Sequence, residues 1–253
     1  MIATMAPIGL TELGERAGLL TRIDRKYLVP VDQLEAFVAA LPGTTRVLQI
    51  EGLRQFCYRS VYFDTADLVS YRLTALRRRR RFKIRTRSYL DSGQHLLEVK
   101  TRGPRGATVK QQLPYGGDGE HLLNQDRQEA CQAVALTGAT PPAPAELRPV
   151  LITTYRRVTL FLPASRSRVT IDTELCWALP DGSRQRRVSG HAIIETKSSG
   201  GPAEMDRALW ARRQRPCSIS KFGTGLAALH PDLPAHRWRP VLHRHLRPEV
   251  LTP

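Results

Sequence analysis

The sequence predicts an α+β fold in which eight antiparallel strands close into a β-barrel, a tunnel with a polar, basic lumen and helices packed outside. Charged and apolar residues alternate with a period of two in four segments. In residues 82–87, for example, Lys83, Arg85 and Arg87 alternate with Phe, Ile and Thr. This spacing places the charges on one face of a strand. A single such strand is typical of a half-solvated sheet, whereas four that carry cations favour a charged interior.

The strand and turn patterns set the order of the elements. Strands are predicted at residues 22–29, 58–64, 82–90, 94–101, 107–113, 149–162, 167–176 and 190–197. Turn signals rich in Gly, Pro and Asp separate several of them, at residues 91–93, 103–106 and 180–182. Eight strands of this kind suit a closed antiparallel barrel.

Helical spacing occupies most of the remaining chain. Helices are predicted at residues 7–18, 31–41, 118–137, 202–214 and 218–229, with a short helix or turn at 65–76. The Pro- and Ala-rich segment 138–148 is interpreted as a loop, and it marks no domain boundary because the strand pattern resumes after it. We therefore expect one domain over residues 1–253, with a core at 20–230 and an irregular basic tail at 231–253.

The charge of the chain points to an anionic partner. The net charge is +16, and such a field attracts nucleic acid, anionic membranes or polyphosphate. A preference for Arg codons and a solvated basic surface would explain part of this excess but not its placement. Of the 39 basic residues only six are lysines, which suggests that the compact ammonium group is kept for particular positions. These are Lys26, Lys83, Lys100, Lys110, Lys197 and Lys221.

Several classes of protein are excluded or disfavoured by missing patterns. Cys57, Cys131, Cys176 and Cys217 lack the spacing of a zinc site. The chain has no P-loop, protein-kinase or HExxH motif. Residues 1–20 do not resemble a signal peptide, and no window contains 18 consecutive apolar residues. The sequence therefore predicts a cytoplasmic protein without a transmembrane segment.

The row formed by Lys83, Arg85 and Arg87 is the first candidate site. Like charges repel one another, so a buried row needs a ligand or counter-charges to persist. The alternative interpretation is a solvated basic face. If the row binds an anion, replacing Arg85 and Arg87 by alanine should weaken binding and leave stability unchanged or raised.

Two E-x-K triplets form the second candidate. They are Glu98-Val99-Lys100 and Glu195-Thr196-Lys197, and Asp24-Arg25-Lys26 is a related D-x-K sequence. The acid can ligate a hard cation while the lysine binds a phosphate oxygen. A single triplet is also typical of a cross-strand salt bridge on the surface. Three variants in one basic chain favour a role in binding metal and phosphate.

Two further segments carry candidate residues. Arg157 and Arg168 are predicted to face inward from neighbouring strands, and Asp172 either joins them or ends its strand. Ser220 and Lys221 lie where a helix is predicted to begin, a position that favours anions. Taken alone, an N-cap serine beside a solvated lysine is the simpler interpretation of this pair.

Together these segments resemble the VTC (vacuolar transporter chaperone) catalytic domain, a polyphosphate polymerase module of the CYTH/triphosphate tunnel metalloenzyme superfamily. The resemblance covers residues 20–230 in order. The matching stretches are Arg25-Lys26-Tyr27-Leu28-Val29, Ser60-Val61-Tyr62-Phe63-Asp64-Thr65, Phe82-Lys83-Ile84-Arg85-Thr86-Arg87, Leu97-Glu98-Val99-Lys100, Thr154-Tyr155-Arg156-Arg157, Arg168-Val169-Thr170-Ile171-Asp172-Thr173, Ile194-Glu195-Thr196-Lys197 and Ser220-Lys221-Phe222.

The resemblance implies a tunnel that binds a triphosphate and a divalent metal, Mn²⁺ or Mg²⁺. The catalytic residues implied are Lys26, Arg85, Arg87, Lys100, Arg157, Arg168 and Lys221. The phosphate-binding residues implied are Lys26, Arg72, Lys83, Arg85, Arg87, Lys100, Arg157, Arg168, Lys197, Ser220 and Lys221. Glu195 would hold the metal. The chain departs from the family pattern at Ser218, where polymerases can carry a lysine, and at Asp24, where Glu is more usual.

The activity implied is transfer of the γ-phosphate of ATP to a growing polyphosphate chain. Two alternatives share the fold, namely hydrolysis of triphosphate or tripolyphosphate and binding of polyphosphate without catalysis. ATP and polyphosphate, or another polyanion with a triphosphate, are the expected partners. A nucleic-acid binder is disfavoured because no RRM, KH or helix-turn-helix pattern is present and aromatic residues are only 6% of the chain.

Overall fold

The structure, a computed structural model, describes residues 2–18, 23–102 and 108–246. Its strands are β1 (Ala6–Ile8), β2 (Ile23–Pro30), β3 (Arg46–Leu48), β4 (Phe56–Asp64), β5 (Phe82–Tyr89), β6 (Gln94–Arg102), β7 (Thr108–Leu113), β8 (Arg148–Leu162), β9 (Ser167–Ala178), β10 (Gln185–Arg187) and β11 (His191–Ser198). Its helices are α1 (Leu10–Ala17), α2 (Leu34–Ala39), α3 (Val69–Ala75), α4 (Asn124–Ala135), α5 (Glu204–Ala211), α6 (Lys221–Leu229) and α7 (Arg239–His245).

The chain divides into two compact units. The first consists of Met1–Cys57, Tyr155–Leu175 and Val188–Ile219, and the second of Tyr58–Thr154, Cys176–Arg187 and Ser220–Pro253. Strands β8 and β9 contribute residues to both, so each unit is built from segments far apart in sequence. The expectation that residues 1–253 form one domain remains a prediction.

The sheet of the first unit has one charged face and one apolar face. β11 pairs antiparallel with β2 on one side and with β9 on the other, while β1 and β3 pair in parallel. Alternate residues such as Tyr27, Ile171 and Ile194 pack with Phe37 of α2 and Leu209 of α5 in one buried cluster. Because side chains alternate across a strand, the charged residues between them lie on the opposite face.

The second unit contains an antiparallel meander of four strands, β4 to β7. Its apolar face, which includes Phe63, Ile84 and Val99, packs on α4 through Ala130 and Val134. The hairpin joining β5 and β6 pairs Arg85 with Glu98 and Lys83 with Lys100. The strand phase predicted for these segments is therefore confirmed.

The segment after residue 230 is not the irregular tail that the sequence predicted, because α7 lies within it. Pro240 is tolerated there because it falls in the first turn, where no helical N–H bond is lost. Trp238 is buried and lies 5.6 Å from the ring of Tyr71. A Cβ atom on Gly223 of α6 would lie 2.1 Å from the indole of Trp238. Glycine is therefore required for this close approach.

Each of the eight predicted strands has a counterpart, but the described residues contain eleven. The additional strands β1, β3 and β10 have three residues each, too few for alternation to reveal. The first helix begins at Leu10 because residues 6–8 pair as β1. Strand order within each unit is open, so closure into a barrel is not shown. Arg22 and the turn predicted at 103–106 lie outside the described residues.

Candidate functional site

Six charged residues on the charged face of the first unit form what we call the Glu195 cluster. They are Lys26, Arg157, Arg168, Asp172, Glu195 and Lys197. The strand register explains why they meet. Glu195 lies opposite Lys26 on β2, and Lys197 lies opposite Arg168 on β9. The phase predicted for the E-x-K and D-x-K triplets thus brings both lysines and the carboxylate together.

Glu195 lies between two lysines. Its two carboxylate oxygens lie 3.6 Å from Nζ of Lys26 and 3.6 Å from Nζ of Lys197. Both separations exceed the usual length of a hydrogen bond. The side chain of Glu195 is 15% exposed and that of Lys26 is 37% exposed. The carboxylate is thus partly accessible and can accept another ligand.

Asp172 differs from Glu195 because its carboxylate is already bound on both oxygens. Arg157 donates to it through Nε at 2.6 Å and Nη2 at 2.8 Å. Asp172 is 1% exposed, and the guanidinium of Arg157 lies 5.2 Å from the ring centre of Tyr155. A bidentate buried pair of this kind fixes both side chains. Among the acids considered for the metal, Asp172 is therefore less accessible than Glu195.

Lys197 experiences opposing influences on its charge. Burial lowers its pKa to about 8, Glu195 opposes that change, and the positive charges of Arg168 and Arg157 add to the lowering. An anion on this face would raise the pKa again, because it favours the protonated amine.

The second unit carries a matching group, the Glu98 cluster, whose members are Lys83, Arg85, Arg87, Glu98, Lys100 and Lys110. Glu98 has no exposed surface. Its Oε2 accepts from Nε of Arg85 at 2.8 Å and Nη2 at 2.5 Å, and its Oε1 lies 2.6 Å from Nζ of Lys110. Arg87 approaches only to 4.0 Å. The carboxylate is therefore hydrogen-bonded through Oε2 and paired by charge alone through Oε1, which has no hydrogen-bond partner among the described residues.

Electrostatics in the Glu98 cluster favour the ionised acid. Burial raises the pKa of Glu98, but the positive charges of Arg85, Arg87, Lys100 and Lys110 lower it by more, so that it lies well below its usual value. One carboxylate thus faces four cations. Nε of Arg87 is buried and has no hydrogen-bond partner among the described residues. An excess of cations with an unsatisfied buried donor is a site suited to an anion.

The predicted anion site at the start of α6 is partly explained by capping. Oγ of Ser220 accepts from the backbone N–H of Gly223 at 3.2 Å, so the N-cap interpretation of this serine is confirmed. Nζ of Lys83 also donates to Ser220 Oγ at 3.0 Å. Lys221 is the first residue of the helix and is half-buried. The structure thus brings Ser220 to the Glu98 cluster through Lys83.

Arg72 is placed differently from the other predicted residues. It lies on α3 and not on a strand, it is exposed, and its Nε donates to the carbonyl oxygen of Asp67 at 2.7 Å.

Lys110 was not assigned to the site from the sequence, but in the structure it contacts Glu98 directly. Lys110 pairs with Lys100 across β6 and β7. Counting the strand register through the turn would therefore have predicted its place in the cluster.

A separate cleft in the second unit contains none of the predicted site residues. Its volume is about 310 Å³, and its lining includes Asp67, Arg127, Glu146 and Arg148. Two acids and two arginines balance one another there. This cleft therefore lacks the excess of positive charge found in the Glu98 cluster.

The part of the chain that the structure describes holds no group of three or more His, Cys, Asp or Glu residues placed to bind a metal. A Mg²⁺ or Mn²⁺ ion does not require such a group when substrate supplies phosphate oxygens, because one or two carboxylates then suffice. Glu195 fits that requirement, since it is a carboxylate that is partly exposed.

Among residues 2–18, 23–102 and 108–246, no helix is both long and apolar enough to span a membrane. A sequence model of the family described as "VTC domain" matches residues 21–230. A comparison with curated proteins gave no significant match.

Three solved structures are similar to this chain in part. A putative adenylate cyclase from Bacillus halodurans shares 15% identity over 79% of this chain and 94% of its own, with a TM-score of 0.46. A putative adenylyl cyclase from Hippeastrum, described as having a dominant triphosphatase activity, shares 15% identity over 82% and 96%, with a TM-score of 0.47. A conserved hypothetical protein from Pyrococcus furiosus shares 10% over 76% and 88%, with a TM-score of 0.40. These similarities do not establish an activity for this chain.

Proposed function

Because the chain belongs to the VTC domain family, we propose that it is a metal-dependent polyphosphate polymerase that uses ATP. The observation that carries the proposal is the excess of cations over carboxylates on the charged strand faces. In the Glu98 cluster four cations lower the pKa of a single acid, and Nε of Arg87 has no hydrogen-bond partner in the described residues. A chain of phosphates supplies the missing negative charge.

In the proposed reaction, a terminal oxygen of polyphosphate attacks the γ-phosphorus of ATP. The bond between that oxygen and the γ-phosphorus forms, the bond to the bridging β–γ oxygen breaks, and ADP leaves with the electron pair. Such transfers depend on positioning and on neutralising charge more than on covalent catalysis. Lys26, Lys197, Arg157 and Arg168 in the first unit, and Arg85, Arg87, Lys83 and Lys100 in the second, are the groups we assign to binding phosphate oxygens.

Glu195 is the residue we assign to the divalent metal. When bound, the ion would neutralise charge on the transferring phosphoryl group. The partly exposed carboxylate of Glu195, beside Lys26 and Lys197, supports this assignment. The roles of Ser220 and Lys221 near the phosphate path, the closure of the strands into a tunnel and a cytoplasmic location stay predictions of the sequence.

The test is product analysis with purified protein, ATP and Mn²⁺. We expect gel-resolved chains that lengthen with time and ADP formed in proportion to the phosphate incorporated. Orthophosphate and ADP without chains would identify a hydrolase and contradict the polymerase proposal. Absence of turnover together with tight binding of tripolyphosphate would identify a binding module.

A further inference from the structure

The row of cations on β5 continues beyond the start of the strand. Arg81 precedes Phe82, the first residue of β5, and has the same parity as Lys83, Arg85 and Arg87. The backbone N–H of Arg102 donates to the carbonyl oxygen of Arg81 at 3.1 Å, so the pairing of β5 with β6 extends to this pair. Arg81 and Arg102 are thus the next step after Lys83 and Lys100.

Two other arginines join this end of the hairpin. We define the arginine port as Arg77, Arg81, Arg102 and Arg237. Positive charge on Arg102, Arg237 and Arg77 lowers the pKa of Arg81, after burial as the larger cause, and Arg237 is affected in the same way by burial and then by Arg77 and Arg102. The four guanidinium groups therefore lie near enough to repel one another.

The arrangement of the port is maintained by local structure despite this repulsion. Arg77 has a φ of 54°, a left-handed conformation that is unfavourable for a side chain other than glycine, and its neighbour Arg78 donates back to the carbonyl of Leu73. Nη1 of Arg81 donates to the carbonyl of Arg78 at 2.8 Å. Arg237 adjoins the buried Trp238, which packs on Tyr71.

Pairing with carboxylates does not explain why Arg77, Arg81 and Arg102 lie together. Within the described ranges, no carboxylate forms an ion pair with Arg77, Arg81 or Arg102. The repulsion among Arg77, Arg81 and Arg102 would be relieved by a bound anion. Because the port lies at the end of the cation row, an anion must be long to contact both the port and the far end of the row. Same-face positions from Arg81 to Arg87 span roughly 20 Å, at about 3.3 Å per residue.

We propose that the arginine port binds the part of a phosphate chain that extends beyond the Glu98 cluster, and so selects long polyphosphate over short triphosphates. This inference rests on the proposed function, because it assumes that the Glu98 cluster binds phosphate. A triphosphate bound by Arg85 and Arg87 is too short to span the roughly 20 Å of the row to Arg81. Long chains therefore gain contacts that ATP and tripolyphosphate do not make.

The experiment measures the affinity of the full chain for tripolyphosphate and for long-chain polyphosphate by calorimetry. The test variant is Arg81→Gln combined with Arg102→Gln. The matched control is Arg148→Gln combined with Arg207→Gln, which removes the same charge from two exposed arginines outside the port. We expect the test variant to weaken long-chain binding about tenfold or more and to leave tripolyphosphate binding within about twofold. The control should change neither.

A second variant covers the case in which the double variant does not fold. Arg77→Gly removes one port charge and places glycine where the backbone is left-handed, so it should not destabilise the protein. It should weaken long-chain binding alone, by a smaller factor.

The outcomes separate the two proposals. Equal loss of affinity for both ligands, or no loss for either, overturns the port while the proposed function stands. Wild-type protein that binds neither ligand overturns both proposals. Tighter binding of a single-stranded oligonucleotide than of polyphosphate, abolished by the test variant, would assign the port to nucleic acid and overturn the inference.

Discussion

Glu98 and Glu195 begin the same E-x-K pattern on β6 and β11, but their surroundings differ. Glu98 has no exposed surface, accepts two hydrogen bonds from Arg85 at 2.5 and 2.8 Å, and forms an ion pair with Lys110 at 2.6 Å. Glu195 is 15% exposed, and its two lysines lie 3.6 Å away. The first carboxylate balances charge inside the second unit. The second is partly exposed in the first unit. We therefore expect the same motif to have a structural role at Glu98 and, under the proposed function, a binding role at Glu195.

The largest difference should appear in stability. Glu98→Gln removes the negative charge that is bonded to buried Arg85, so we expect the free energy of unfolding to fall by about 3–5 kcal/mol. Glu195→Gln is the matched control, because the same chemical change at a partly exposed acid should cost less than about 1 kcal/mol. Urea denaturation of the two variants measures both values. Equal losses would mean that the two acids do not differ in role.

The next largest effect concerns catalysis, and here Glu195→Gln should have a larger effect than Glu98→Gln. If Glu195 holds the metal, Glu195→Gln should lower turnover of ATP by about 100-fold or more and weaken Mn²⁺ binding in the presence of tripolyphosphate, since a neutral amide is a poor ligand for a hard cation. The measurements are a Mn²⁺ titration of the initial rate and calorimetry with Mn²⁺. Unchanged Mn²⁺ dependence would remove Glu195 from the metal site.

Replacing Arg85 and replacing Arg87 should have different effects on stability and on binding. The sequence predicted that Arg85 and Arg87 could both be removed without loss of stability, and the contacts of Arg85 argue against this. Arg85→Ala removes two hydrogen bonds to Glu98 and should lower stability by about 1.5–3 kcal/mol.

Arg87→Ala should instead spare stability, because Arg87 lies 4.0 Å from Glu98 and its Nε has no hydrogen-bond partner in the described part of the chain. Arg87→Ala should instead weaken the binding of tripolyphosphate by about 1.5–3 kcal/mol. Thermal unfolding and calorimetry on both alanine variants provide the comparison. Loss of stability without loss of affinity for Arg87→Ala would make it a structural residue.

The period-two pattern was sufficient to predict the strands and the face on which each charged residue lies. It placed Lys83, Arg85 and Arg87 together because alternation depends only on local geometry. It could not distinguish Glu98 from Glu195, because burial depends on residues from other strands, such as Lys110. Nor could it find the contact of Lys83 with Ser220, which joins residues 137 positions apart.

The last effect is the pH dependence that Lys197 contributes in the Glu195 cluster. Lys197 has a pKa of about 8 in the folded protein, against an ordinary value of 10.5, because burial disfavours its charge. Between these pH values the unfolded chain binds a proton that the folded chain has released. Stability should therefore rise with pH across this window, with a slope of at most about 1.4 kcal/mol per pH unit. Below about pH 8 both states are protonated, and Lys197 contributes no slope.

Phosphate binding should show the opposite trend, because the ligand requires a charged Lys197. Above about pH 8 the protein must take up a proton to bind tripolyphosphate, so affinity should fall as pH rises. Calorimetry at pH 8.5 in two buffers of different ionisation enthalpy measures this uptake. Lys197→Met should reduce both the uptake and the slope in stability, and the slope that remains belongs to Lys110, whose pKa burial also lowers. Lys110→Met, in the Glu98 cluster, should leave the stability slope due to Lys197 in place. A slope and an uptake unchanged by Lys197→Met would show that Lys197 does not titrate in this window.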